Sequence, residues 1–153
     1  MSTYLTINLE TKDPETGNWE VVKDNDGNSY RPIEWNLYTI FSMIANVRNS
    51  NNLRYLKDMV GIPEDSPMYR GPLQTDGLSY GTSFLTLEEA REDNLFWSTE
   101  VAMVNSETEE IVDVKKYRDI AEPFMKDVVR PMQEIADTRN LSNDDVRVIL
   151  HFD

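Results

Sequence analysis

The sequence contains no cysteine and only one histidine, His151. Without thiols the chain cannot form a disulfide, a thiolate nucleophile or a zinc site built on sulfur. One imidazole cannot make a poly-histidine metal centre, and the position of His151 in an alternating terminal segment predicts a surface residue and not a catalytic one. We therefore predict no cofactor and no resident metal, since any metal would have to be a hard cation held by carboxylates alone.

Long hydrophobic runs are also missing. No apolar stretch approaches the ~20 residues of a membrane-spanning helix. The first ten residues, "MSTYLTINLE", lack the basic and apolar regions of a secretory signal. We expect a protein of the host cell cytosol that does not bind membranes. Its 153 residues are enough for a single domain, 1–153, with its own core.

Basic residues are scarce, with 15 Lys and Arg against 28 Asp and Glu and a net charge of −13. Such a chain is repelled by nucleic acids and attracted to basic protein surfaces. We therefore expect no direct nucleic-acid binding and, as partner, a host protein with a basic surface. Between residues 88 and 113 there are nine acids and one base. We predict that these nine acids bind the partner: Glu88, Glu89, Glu92, Asp93, Glu100, Glu107, Glu109, Glu110 and Asp113.

Alternating apolar residues predict strands at both ends of the chain. In "TYLTINLETK", Leu5, Ile7 and Leu9 occupy one side, and Asn8 and Glu10 occupy a side that we expect to face water. "WEVV" is typical of a returning strand, and "DDVRVILHF" of a closing strand beside the first one. Together with the helices below, these strands predict an α+β fold, in which helices pack on one face of a mostly antiparallel sheet.

Three segments have the features of helices. Apolar residues at helical spacing predict a core helix over 37–47 that ends at "NSNN". Thr86 and Glu89 have the spacing of a capping box at the start of a second helix. In the third segment, 114–140, Pro123 and Pro131 predict a kink or two helices in tandem, because proline cannot donate a backbone hydrogen bond.

A long loop is predicted around residues 61–84, which contain three prolines. Loops of this length are often functional or mobile, although an ordered surface loop is the simpler interpretation. Its polar and aromatic side chains make it a candidate ligand-binding loop. The candidate residues are Asp65, Tyr69, Arg70, Asp76 and Tyr80.

Four segments, "NLYTIFSMIANVRN", "VGIPEDSPMYRGP", "SFLTLEEA" and "DDVRVILHFD", resemble, in this order, an uncharacterised group of phage and bacterial proteins. Members typically begin Met-Gly-Cys-Asp-Ile-His, and here the Cys, Asp and His positions fall on Thr3, Tyr4 and Thr6. A His-Ser-His-like segment of the group falls on Tyr80 and Thr82. The resemblance implies a phage origin, and it implies that any metal or catalytic site formed by those residues in the relatives is lost here.

These observations favour a phage-type accessory protein that binds and inhibits or modulates a host protein, in a host-takeover or anti-defence role, and that is not an enzyme. A sharper version is nucleic-acid mimicry, in which carboxylates imitate the dense phosphate charge of a duplex. One alternative is a sponge that sequesters a nucleotide signal under the long loop. Another is a phosphoesterase that uses Asp65 and Asp76 with Mg²⁺.

Overall fold

The computed structural model describes residues 2–69 and 81–153, and it confirms the predicted α+β class. The strands are β1 (Leu5–Lys12), β2 (Trp19–Val22), β3 (Arg31–Pro32), β4 (Gly81–Thr86), β5 (Glu100–Val104), β6 (Ile111–Lys116) and β7 (Val146–Phe152). The α-helices are α1 (Tyr38–Ala45), α2 (Leu87–Ala90), α3 (Tyr117–Ile120), α4 (Glu122–Phe124) and α5 (Arg130–Arg139). Short 3₁₀ helices cover Leu95–Ser98 and Asn143–Asp145. Among the described helices, none has the length and apolar character needed to cross a bilayer.

The main sheet has the strand order β2-β1-β7-β4, and β3 pairs with β1 beyond the end of β2. β1 and β7 run antiparallel along their length, from Leu5 opposite Phe152 to Thr11 opposite Val146. The prediction that the closing strand lies beside the first one is therefore confirmed. These two central strands carry much of the core.

The core lies between the helices and one face of this sheet. Leu5, Ile7 and Leu9 are each 1% exposed, and they join buried side chains of α1 and α5 in one cluster. Phe41 of α1 meets Phe152 of β7 edge to face, with ring centroids 5.3 Å apart. Burial of each such side chain stabilises the fold by about 1.5–3 kcal/mol.

The opposite face of β1 is not exposed to water, and that part of the sequence prediction was wrong. Asn8 and Glu10 are both 0% exposed. They are buried because their polar groups have partners within the fold. The Asn8 amide donates to Ser29 O at 2.8 Å, and Glu10 accepts a hydrogen bond from Arg147. The polar residues of this strand thus belong to a buried hydrogen-bond network. The alternation of polar and apolar residues in the sequence does not distinguish such a network from a face exposed to water.

Helix α1 matches the predicted core helix but is shorter than expected. It ends where Asn46 adopts the left-handed conformation, φ 58° and ψ 32°, with its N–H donating to Ser42 O. Asparagine tolerates this conformation better than most residues, which explains the stop. Ser42 is buried at 3% exposure although it is polar, because its hydroxyl donates to Tyr38 O.

The segment after residue 80 differs from the prediction in two ways. Residues 81–86 form β4, the edge strand beside β7, so the predicted loop 61–84 includes the start of a strand. The capping box of Thr86 and Glu89 is confirmed, but the helix that it begins has one turn, Leu87–Ala90. The chain then turns into a 3₁₀ helix, in which Trp97 is fully buried.

The two prolines interrupt the third helical segment, as predicted. Pro123 lies in α4, and a π-helical turn, Met125–Val129, separates α4 from α5. In that turn Arg130 N donates to Met125 O, one residue further back than in an α-helix. Pro131 cannot donate to the carbonyl four residues earlier, and this accounts for the local widening.

Candidate functional site

The nine predicted acids do not form a single surface, because they fall into two groups with different surroundings. The first group, Glu88, Glu89, Glu92 and Asp93, lies on and just after α2. Basic side chains pair with all four: Arg91 with Glu88 at 2.9 Å and with Asp93 at 3.3 Å, Lys57 with Glu89 at 3.1 Å, and Arg130 with Glu92 at 2.8 Å. Much of the negative charge of this group is therefore compensated within the fold.

Arg130 connects this group to the proline-interrupted helices. Its Nη1 donates to Glu122 Oε1 at 2.6 Å, while its Nε donates to Glu92. The hydrogen bond from Arg130 lowers the pKa of Glu122, and the two carboxylates raise the pKa of Arg130. Because Arg130 of α5 holds Glu122 of α4 and Glu92 after α2 at the same time, we assign this network a role in positioning these segments against one another.

The second group lies on the β-hairpin that β5 and β6 form, residues 100–116. This segment is called the hairpin below. It comprises Glu100, Glu107, Glu109, Glu110 and Asp113, all exposed. Within the described residues, none of these five carboxylates forms an ion pair with Lys or Arg. The turn is held instead by the side chain of Asn105, which accepts from the N–H of Glu107 at 2.9 Å. The tip of the hairpin therefore presents uncompensated negative charge to solvent.

The hairpin also exposes large apolar side chains, which the sequence analysis did not identify as functional. Five of them are between 42% and 66% exposed: Met103, Val104, Ile111, Val112 and Val114. Isolated exposed apolar residues are ordinary, but a contiguous group on one element is typical of an interaction surface. The sequence signal was the pair of runs "VAMV" and "IVDV". Such runs are typical of strands, but a strand-forming pattern does not show whether other parts of the chain cover its side chains.

A groove runs along β5 between the hairpin and the body of the protein. It has a volume of about 600 Å³, and four consecutive residues, 101–104, line one wall. Leu53 and Ile120 belong to the rest of its lining, and Lys115 is the basic residue there. Pockets that hold ligands or peptide segments fall in the range ~300–1,000 Å³. The groove and the acidic tip are adjacent parts of one element.

The described part of the predicted ligand loop is attached to the second face of the main sheet. Asp65 Oδ1 lies 2.9 Å from Arg147 Nη1, and the Ser66 hydroxyl donates to Glu10 Oε2 at 2.6 Å. The carboxylate of Asp65 is thus already engaged by an arginine, although its side chain is 63% exposed. Tyr69 is half-buried. The remaining candidates, Arg70, Asp76 and Tyr80, lie outside the described residues.

Aromatic rings cover the same Arg147. Its guanidinium lies 3.7 Å from the centroid of the Trp19 ring and 5.8 Å from that of Phe84. Arg147 is 4% exposed, and its Nη2 has no hydrogen-bond partner among the described residues. This arrangement stabilises a buried cation by stacking and by ion pairing, and it ties the loop to the sheet.

Within residues 2–69 and 81–153, no three His, Asp or Glu side chains converge in a way that could hold a metal ion. The one histidine, His151, is half-buried, and its Nε2 lies 2.6 Å from the Asn8 side-chain oxygen. It belongs to the polar network of the sheet.

Comparisons with protein-family models, with curated proteins and with solved structures find no match to this chain. The surface with the features of a binding site is the hairpin, together with the groove along β5.

Proposed function

We propose that the protein works by binding a host protein with a basic surface, as a phage-type accessory factor that inhibits or modulates its partner. The observation that supports this most is the composition of the hairpin. Exposed apolar residues line the groove along β5, and Glu107, Glu109 and Glu110, which form no ion pair with any described residue, stand at the tip of the hairpin. Protein interfaces commonly combine an apolar centre with a polar rim.

The two parts of this surface have different roles in binding. Met103 and Val104, which are 42% and 52% exposed, are the side chains of the groove that gain most from being covered. Burial of each is worth about 1–2 kcal/mol at these exposures. The glutamates at the tip attract a basic partner and orient it, an effect that appears mainly in the association rate.

Nucleic-acid mimicry is a narrower form of this proposal. A mimic needs carboxylates in a dense row, because duplex DNA carries a charge every ~1.7 Å along its axis. Four of the nine predicted acids are ion-paired around α2. For this reason we favour a mixed apolar and acidic contact with a protein over a purely electrostatic imitation of DNA.

The test is quantitative capture of partners from a host lysate with variants matched in chemistry. A groove variant carries Met103→Ser and Val104→Ser, and its control carries Leu95→Ser and Val60→Ser, which remove side chains that are 84% and 52% exposed outside the groove. We expect one protein to bind to the wild type and the control and to be lost with the groove variant. A partner held equally by all three proteins would contradict the assignment of the groove.

A second pair of variants tests whether the position of the glutamates at the tip matters or only the net charge of the protein. The tip variant replaces Glu107, Glu109 and Glu110 with Gln, and the control replaces three exposed glutamates elsewhere, Glu15, Glu20 and Glu64, with Gln. The two variants have the same net charge. Slower association with the tip variant alone, most marked at low salt, is the expected result. Equal slowing in both would mean that only the total charge of the protein matters.

A further inference from the structure

Strand β6 is an edge strand that no described residue covers. All six of its residues are exposed, and Ile111, Val112 and Val114 are 65%, 66% and 52% exposed. Among the described strands it pairs with β5 alone, in a sheet of two strands. A two-stranded hairpin is marginally stable in isolation, and an uncovered apolar edge is a template for pairing with another strand.

The backbone groups of Val114 point away from β5. Tyr117 N donates to Thr99 O at 2.8 Å, so these two residues form a hydrogen-bonded pair directly beside the pairing of Glu100 with Lys116 and two steps from that of Val101 with Lys115. Hydrogen-bonded and non-hydrogen-bonded pairs alternate along an antiparallel ladder. The pair of Ala102 with Val114 is therefore non-hydrogen-bonded, and the N–H and C=O of Val114 are directed to the open edge.

The sequence of β6 is complementary to itself when two copies run antiparallel about Val114. In that register Val114 faces Val114 of the second copy, and Asp113 faces Lys115 of the second copy. Each Asp–Lys contact occurs twice because the arrangement is symmetric. Opposite charges in directly facing positions stabilise strand pairing, and like charges destabilise it.

We propose that the protein forms a homodimer by antiparallel pairing of β6 with β6 of a second copy. The result is a four-stranded sheet in the order β5-β6-β6-β5. Pairing covers the open backbone edge of β6 and brings Val114 of the two copies together, and the Asp113–Lys115 pairs fix the register. Residues 101–104 of β5 line the groove, and Lys115 is the β6 residue in its lining. The β5 wall of the groove lies outside the new interface and stays open to another protein.

In the single chain the carboxylate of Asp113 covers the edge. Its Oδ1 accepts from the N–H of Val114 at 2.8 Å. Pairing exchanges this contact for a ladder hydrogen bond and turns the carboxylate to Lys115 of the second copy. The opposite possibility is that Asp113 only protects the edge from other strands, and the two ideas predict opposite effects of replacing it.

The experiment is sedimentation equilibrium on purified protein over a range of micromolar concentrations, so its outcome does not depend on any partner. We expect the wild type to pass from the monomer mass of 17.8 kDa to twice that value as concentration rises. Asp113→Lys and Lys115→Asp should each raise the dimer dissociation constant about tenfold or more, because both cross-strand contacts become repulsive. Glu15→Lys, which makes the same charge change as Asp113→Lys in an exposed turn, should leave it unchanged.

Two rescue experiments make the result specific. The double variant Asp113→Lys with Lys115→Asp restores opposite charges in the facing positions and should dimerise like the wild type. An equimolar mixture of the two single variants should also dimerise, because each supplies the charge that the other needs. Hydrogen exchange at the Val114 amide should slow with concentration in the wild type and not in Asp113→Lys.

Three outcomes would overturn the proposal. The first is a wild type that stays monomeric at every concentration. The second is stronger association of Asp113→Lys, which would identify Asp113 as an edge protector. The third is dimerisation that the single variants weaken but neither rescue restores, which would place the interface elsewhere.

Discussion

Arg147 and Glu10 face each other across β7 and β1, and the Nε of one donates to the Oε1 of the other at 2.8 Å. Both side chains are buried, at 4% and 0% exposure. Two opposite charges in this position compensate each other, but either one alone would be left in a poorly hydrated environment. The pair therefore fixes where the loop with Ser66 meets the sheet.

Removal of one member of this pair should be costly. We expect Arg147→Met to lower the free energy of unfolding by about 3–5 kcal/mol, because Glu10 would remain as a buried carboxylate without its cation. The double variant Glu10→Leu with Arg147→Met should recover most of the loss. Urea denaturation checks both values. Arg91→Met, which breaks two exposed ion pairs, should lower the free energy of unfolding by less than about 1 kcal/mol. An equal loss for Arg91→Met and Arg147→Met would show that burial is not the cause of the larger effect.

The end of α1 gives a second prediction, because Asn46 is left-handed with φ 58°. Asn46→Val should destabilise the protein by about 1–2 kcal/mol, since a β-branched residue is strained in this conformation. Asn46→Gly should stay within about 0.5 kcal/mol of the wild type. Thermal unfolding of the two variants measures the difference. Similar melting temperatures would show that the helix can end in another way.

Hydrogen exchange should reveal two levels of local stability. The amides of β7, paired on both sides by β1 and β4, should exchange only through global unfolding. The amides of β5 and β6 should exchange faster by several orders of magnitude, because this sheet has two strands and exposed side chains. The comparison is made at low protein concentration, where pairing between copies is minimal. Equal protection in both sheets would contradict the view of the hairpin as a separate unit.

The ion pair of Glu122 and Arg130 predicts a specific dependence on pH. The hydrogen bond from Arg130 lowers the pKa of Glu122 in the folded protein. The folded state therefore binds a proton at Glu122 less readily than the unfolded state does. For this reason the pair stabilises the fold at pH values above the ordinary carboxyl pKa. This contribution disappears as the pH falls through the lowered pKa of Glu122. Glu122→Gln should therefore lose less stability than the wild type between pH 7 and about pH 3. Melting temperatures at the two pH values, with Glu15→Gln as a control that keeps the wild-type difference, test this.

Local sequence patterns predicted the elements whose structure is decided locally. The apolar positions of β1, the capping box of Thr86 and the interruption at Pro131 all follow from rules that involve a few neighbouring residues. The burial of Glu10 could not be predicted in this way, because its partner Arg147 is 137 residues away. Nor could the separation of the nine acids, since the compensation of Glu92 depends on Arg130 from a distant helix.

The candidate site was missed for a related reason. Ile111 and Val112 have the same strand-forming pattern as the buried residues of β1, and apolar side chains in strands are usually covered. Only the tertiary arrangement shows that β5 and β6 pair with each other and not with the main sheet. The acids of the tip were found from composition, and the apolar half of the surface was not.

The pairing of β1 with β7 has a consequence for how the protein is made. These strands are neighbours in the sheet although more than a hundred residues of chain separate Glu10 from Arg147. Closing so long a loop costs conformational entropy before the strands make any contact. We therefore expect the ladder of β1 and β7 to form late and the protein to fold slowly for a chain of this size. While the ribosome is still producing α5, β1 lacks its neighbour β7, and the nascent chain must keep this strand from pairing with others until β7 emerges.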